Sequence, residues 1–269
     1  SYANAKVLYG VYGKAQTLYN LPAAFITPLT ISVVPAIAAC RVTHRGRESS
    51  RIAENSLRIA TVIALPMGVG LSVLSYPIMT VIYPGSHESG PELLMLMGAA
   101  SFFVCMALMM NAVLQAGGNE KYPIYSMVIG GVVKICVNWF LVADPHINIL
   151  GAPIGTLSCY AVMCVMDYIF LCRVMPERPR LGRILARPVL SCAAMGLSAW
   201  AVYGLAIRFI GGAEPGRLMM ALCMCLAIGV AVIVYLVLVV LTRAVTFEDM
   251  KLIPKGEKLA RLLHIRPEG

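Results

Sequence analysis

Acidic side chains are scarce in this chain. It has 13 Asp and Glu against 22 Lys and Arg among 269 residues, and charged residues of both signs make up only 13% of it. Water-soluble domains carry about 25% charged residues, so a soluble globular fold is excluded. Histidine is nearly absent: His44, His87, His146 and His264 all fall in loops or the tail between apolar runs. A metal centre of ordinary ligand spacing has nothing to build on. The nine cysteines (Cys40, Cys105, Cys136, Cys159, Cys164, Cys172, Cys192, Cys223, Cys225) form no C-x-x-C pair and lie in or at the ends of apolar runs. They read as small buried hydrophobes. No P-loop, H-E-x-x-H, G-x-S-x-G or haem motif occurs, and Gly68-x-Gly70 sits inside an apolar run rather than after a strand. The loops are short and hold no paired carboxylates. Active-site chemistry therefore has no seat, no cofactor is expected, and the chain reads as a non-enzyme.

Apolar sequence is what the chain has in quantity, 59% against roughly 45–50% in soluble domains. The net charge of +9 sits in short clusters wedged between apolar runs, with no aromatic or glycine-rich RNA-binding pattern beside them. It therefore reads as membrane topology, and nucleic acid is excluded as a partner.

The stretch Tyr19–Cys40 organises the rest. As a helix it covers roughly 30 Å, the thickness of a hydrocarbon core, yet it contains Pro22, Pro28 and Pro35, each of which removes a backbone hydrogen bond. Lipid cannot replace those bonds. Neighbouring helices, hydroxyls such as Thr27, Thr30 or Ser32, or a wet cavity must do so. The helix is accordingly expected to bend near Pro28 or Pro35 and to line an internal cavity.

Residues Ser1–Gln16, rich in tyrosine and glycine, read as a polar, aromatic approach to the membrane surface. Six further spans follow, at about Ile59–Tyr83, Leu93–Ala116, Tyr122–Ala143, Ile149–Cys172, Val189–Ile210 and Leu218–Leu241. A segment around Arg51, Glu54, Asn55 and Arg58 reads as an interfacial helix feeding the second span. The tail Thr242–Gly269 reads as an amphipathic helix on an anionic leaflet. With these spans, all of the 22 Lys and Arg except Lys6, Lys14, Lys134, Arg208 and Arg217 fall on one side. The positive-inside rule makes that side cytoplasmic and places the N-terminus outside. The arginines of the clusters (Arg41, Arg45, Arg47, Arg51, Arg58, Arg183, Arg187) are candidates for topology signals or contacts to lipid head groups.

Two ionisable residues remain well inside spans, Lys134 and Asp167. Such charges cost about 2.5–3.5 kcal/mol at a helix centre and usually face a bundle interior or an aqueous path. Ser126, Gly130, Lys134 and Asn138 recur every four residues in one span, and Gly151, Gly155, Cys159, Met163 and Asp167 in the next, a pattern that favours close helix packing. Lys134 and Asp167 are candidates for a transport path, for a structural ion pair, or, for Asp167, for simple reach to the near interface. Asn138 is a further candidate for the cavity, and Asn111 and Gln115 are candidates for the cavity or for hydrogen bonds between helices.

The segments L-Y-G-V-Y-G-K-A-Q-T-L-Y-N-L-P-A-A-F-I-T-P-L-T-I-S-V-V-P-A-I-A, R-I-A-T-V-I-A-L-P-M-G-V-G-L-S-V-L-S-Y-P-I-M and N-A-V-L-Q-A-G-G-N resemble the stage V sporulation protein B group of polysaccharide-export flippases. That group lies within the superfamily of the MATE multidrug exporters and the lipid II flippases. The resemblance implies an all-α, polytopic, two-lobed transporter that moves lipid-linked sugar or peptidoglycan precursors outward by alternating access, for cell-wall, polysaccharide or spore-cortex synthesis. On this reading the chain is a fragment. Residues 1–174 would be the C-terminal lobe without its first helix, 175–241 two additional helices, and 242–269 a cytoplasmic tail. The missing N-terminal lobe and membrane lipids would be its partners. A cation-coupled multidrug exporter and a seven-helix receptor are the alternatives. A retinal-type receptor would want its lysine in the last span, which has none. A membrane-embedded sugar transferase would want acidic residues clustered at one interface.

Overall fold

The computed structural model describes residues 2–85, 89–144, 147–210 and 216–242. Among them there is no strand, and seven helical stretches are long and apolar enough to cross a membrane. The tail beyond Thr242, expected as an amphipathic helix, lies outside the described residues.

The chain opens with two helices in near-continuous sequence, α1 (Tyr2–Tyr19) and α2 (Leu21–Val42). Asn20 interrupts them only locally, because its N–H donates to Gln16 and its carbonyl accepts from Ala24. The apolar stretch Lys6–Val42 is 37 residues long, about 55 Å at 1.5 Å per residue. The segment expected as a surface approach, Ser1–Gln16, is helical from Tyr2 onward and nearly continuous with the first span. Val11, Ala15 and Tyr19 are buried in one cluster with Leu93, Leu94 and Met97. Of the tyrosines in that segment, Tyr12 finds a partner inside the fold, Thr156, while Tyr9 is exposed.

Helix α3 (Gly46–Val73) is a single helix from the first basic loop onward. The expected interfacial segment is its opening turns, with Ser50, Ala53, Ser56 and Leu57 buried and Glu54 paired to Arg58 at 3.5 Å one turn on. Pro77 explains why α3 stops and α4 (Ser75–Ile82) begins, since its ring would clash with the carbonyl of Val73, four residues before it. Helix α5 (Gly90–Ala116) is central, packing on α1, α2, α3, α4 and α7. Helix α6 (Lys121–Val142) lies at the periphery, leans chiefly on α7 (Gly151–Val174) and leaves Ile124, Val128, Val132, Ile135 and Trp139 exposed. Helices α8 (Leu181–Ile210) and α9 (Arg217–Leu241) pack on each other, with α8 also against α3 and α9 against α4.

All nine cysteines are unpaired, but Cys136 and Cys225 are exposed and Cys172 is half-buried, so the expectation that every cysteine is buried fails. Cys136 and Cys225 lie on faces of α6 and α9 that no other described helix covers.

Candidate functional site

The two four-residue stripes meet face to face. Ser126 donates to Asp167, a Cβ at Gly130 would meet Met163 and Cys159, Lys134 acts electrostatically on Cys159, and the Asn138 carboxamide lies on the bare Cα of Gly155. At the far end Gly151 adjoins Val142. Each step of four along α6 is thus matched by a step of four backwards along α7, the register of an antiparallel pair. Small residues at the contact positions let the two backbones approach closely.

This register decides how the interior charges are paired. Asp167 is fully buried, and its carboxylate takes a hydrogen bond from Ser126 through Oδ1. Ser126 lies eight residues from Lys134, about 12 Å along the helix, and among the described residues no ion pair joins Lys134 to Asp167. Lys134 is half-buried beside Cys159. Three side-chain oxygens in spans, Asp167 Oδ2, Asn138 Oδ1 and Asn111 Oδ1, are buried and accept no hydrogen bond from the described residues. Asn111 is half-buried on α5, whereas Gln115, one turn later, is exposed.

On α2 the buried side is Pro22, Ile26, Leu29, Val33, Ile37 and Cys40, and Pro28 and Pro35 face outward with Thr27 and Ser32. The hydroxyls do not serve the carbonyls that these prolines free. Thr27 donates to Ala23 at 2.9 Å, Thr30 to Thr27 at 2.7 Å and Ser32 to Leu29 at 2.8 Å, while the carbonyls without helical donors belong to Ala24 and Ile31. The open face continues up α1 through Gly10, Gly13, Gln16, Thr17 and Asn20. It is a small and polar surface on an otherwise apolar membrane helix.

The three basic or polar loops after α2, α5 and α7 converge around one cavity of about 270 Å³, so the carboxyl ends of these spans share one side, as the charge pattern requires. Arg41, His44, Ser49 and Asn119 supply its polar wall, and Val113, Leu114, Leu171 and Val174 its apolar floor. Arg45 pairs with Glu48 at 3.4 Å and Arg47 with Glu177 at 3.6 Å, both well exposed. Arg51 and Arg187 are exposed, and the side chain of Arg183 lies outside the described residues.

One polar arrangement escaped the sequence reading. Helix α9 buries a strict four-residue stripe, Cys223, Ala227, Ala231, Tyr235 and Val239, and the Tyr235 hydroxyl donates to Val62 O on α3 at 2.6 Å. At its other end the Arg217 guanidinium donates to Val81 O on α4 through Nε and Nη2, at 2.8 and 2.6 Å. Arg217 and Tyr235 are 18 residues apart, five whole turns, so they share one side of α9 about 27 Å apart. The available signal was Pro66 itself, which announces an unpaired carbonyl at position 62, and a lone tyrosine in an apolar span, which announces a hydroxyl in need of an acceptor.

The chain has relatives among known proteins. In Bacillus subtilis (strain 168), the uncharacterized membrane protein YabM is 24% identical over 265 residues, 98% of this chain and 48% of its own length. The lipid II flippase MurJ of the same organism is 25% identical over 162 residues, 59% of this chain and 29% of MurJ. The amylovoran biosynthesis protein AmsL of Erwinia amylovora is 27% identical over 133 residues, 48% of this chain and 33% of AmsL. The chain thus spans about half the length, or less, of the curated relatives it matches. Among solved structures, an outward-facing multidrug resistance MATE family transporter of the MOP superfamily matches with a TM-score of 0.38 at 17% identity, over 96% of this chain and 68% of that one. A MOP superfamily transporter from Pyrococcus furiosus matches with a TM-score of 0.37 at the same identity and coverage. The model of the lipid II flippase MurJ family matches residues 6–223, which is most of the membrane-spanning sequence, and the chain belongs to that family.

Proposed function

We propose that this chain forms part of a flippase that moves a lipid-linked sugar or peptidoglycan precursor across the cytoplasmic membrane by alternating access. It would work with an N-terminal lobe that completes the two-lobed transporter. Residues 1–174 would be the second lobe without its first helix, and α8 and α9 an added pair docked on α3 and α4. Family membership is the observation that carries the reading. The outward face of α1–α2 supports it, because carbonyls at Ala24 and Ile31 that Pro28 and Pro35 deprive of their α-helical donors, beside threonine and serine hydroxyls, suit a wet inter-lobe surface and not lipid. The end that holds the arginine-rich loops is assigned to the cytoplasm by the positive-inside rule.

Within this reading Lys134 is the interior cation that balances substrate phosphate. It acts independently of Asp167, whose partner is Ser126. The test is translocation of a labelled undecaprenyl-linked substrate in proteoliposomes made with the full-length protein. Robust flipping supports the assignment, and drug export with no lipid flipping overturns it in favour of a multidrug exporter.

A further inference from the structure

We propose that the cavity among the loops after α2, α5 and α7 binds a phosphate-bearing anion, with Arg41 as its principal ligand and a phospholipid headgroup as the source its surroundings favour. The charge distribution is the first argument. Among the arginines at this end, Arg45, Arg47 and Arg58 each have a carboxylate partner, Glu48, Glu177 and Glu54. Arg41 has none among the described residues, and no carboxylate is among the described residues that line the cavity, while His44 shares its wall with Arg41.

The second argument is how Arg41 is placed. Helix α5 ends with Gly118 in the left-handed region at φ 75°. The Asn119 N–H donates to Leu114 O and the Gly118 N–H to Gln115 O, the bonding of a Schellman ending. The Arg41 guanidinium lies directly over the bare Cα of Gly118, where any Cβ would collide with it. The last carbonyls of α5 are therefore engaged by their own loop, and the Arg41 guanidinium stands at the cavity wall without being used as a cap. The exposed Arg41 guanidinium presents paired donors suited to phosphate.

Three helix carboxyl ends on their own would favour a cation. Here carbonyls in their last turns are bonded, Ala39 to the Thr43 N–H, Leu114 to the Asn119 N–H and Leu171 to the Met175 N–H. The side-chain charges set the sign. The floor of Val113, Leu114, Leu171 and Val174 gives nothing to a free inorganic ion, but it suits the glycerol and first methylenes of a phospholipid. At about 270 Å³ the space is sized for a headgroup and not for a whole lipid.

The test titrates the protein, purified in a neutral detergent, with dioctanoyl phosphatidylglycerol, dioctanoyl phosphatidylcholine or inorganic phosphate, with retention read by native mass spectrometry and thermal shift. Saturable binding of phosphatidylglycerol is expected, about tenfold weaker in Arg41→Gln, restored in part by Arg41→Lys and unchanged in Arg47→Gln. Ser49→Trp, which fills the cavity without altering charge, should also abolish binding. Inorganic phosphate binding as tightly, with the same dependence on Arg41, would keep the anion site but overturn the lipid source. Wild-type affinity in Arg41→Gln or Ser49→Trp, equal loss in Arg47→Gln, or equal retention of phosphatidylcholine would overturn the site.

Discussion

The hydroxyl of Tyr235 donates at 2.6 Å to the carbonyl of Val62, the carbonyl on α3 that Pro66 deprives of its helical donor. A buried carbonyl left without a partner costs about 1–3 kcal/mol. Tyr235→Phe should therefore destabilise the protein by that order. Pro66→Ala restores the N–H, so the same Tyr→Phe change should cost much less in that background. A double-mutant cycle on thermal unfolding in detergent checks it, and additive effects would show that the two residues do not share the carbonyl.

The α6–α7 register predicts which positions crosslink. In a cysteine-less background, cysteines at Gly130 and Met163, or at Asn138 and Gly155, should crosslink readily, whereas cysteines at Lys134 and Asp167 should not. Efficient bridging of the last pair, read by gel mobility, would refute the eight-residue offset.

At Gly155 any side chain must displace the Asn138 carboxamide. Gly155→Leu should destabilise the protein by about 1–3 kcal/mol, the cost of overpacking a well-packed contact. Asn138→Ala in the same chain should recover part of the loss in melting temperature, while Gly10→Leu, with no atom near its Cβ position, should have little effect.

Orientation is checked by accessibility. A cysteine at Ser49 should resist an impermeant thiol reagent applied to intact cells, and one at Gly216 should react. The reverse pattern would invert the assignment of the basic loops to the cytoplasm.

If Lys134 balances substrate charge, Lys134→Met should abolish translocation in the full-length protein with near-normal yield and melting temperature. A lysine needed only for folding would show loss of folded protein instead, and undiminished flipping would remove it from the mechanism.

The spans were legible because an apolar run of membrane length has few other uses, and their alternation was legible from where the arginines stop. The stripes at Ser126–Asn138 and Gly151–Asp167 were legible as packing surfaces too. What the pattern of one helix cannot carry is the vertical offset against its neighbour. For that reason Asp167 meets a serine and not the lysine that charge alone would have chosen for it. The packing of Ser1–Gln16 was not legible, because tyrosine, glycine and lysine suit a membrane surface as well as they suit a helix that buries Val11 and Ala15 in the fold. The bond from Tyr235 to Val62 joins residues 173 positions apart, and although Pro66 and a lone tyrosine in an apolar span each announce an unmet partner, neither says where the other lies.

That separation has a consequence for biogenesis. At about 5–20 residues per second of synthesis, α3 enters the membrane roughly ten to thirty seconds before α9 exists. Throughout that interval the peptide group at Val62 has neither its helical donor nor its phenol. The middle of α3 must remain hydrated, or be shielded by the insertion machinery, until the last span arrives. Late docking of α9 is then the event that dries and locks the helix, and ribosomes stalled before Tyr235 should hold α3 in a form open to hydrogen exchange.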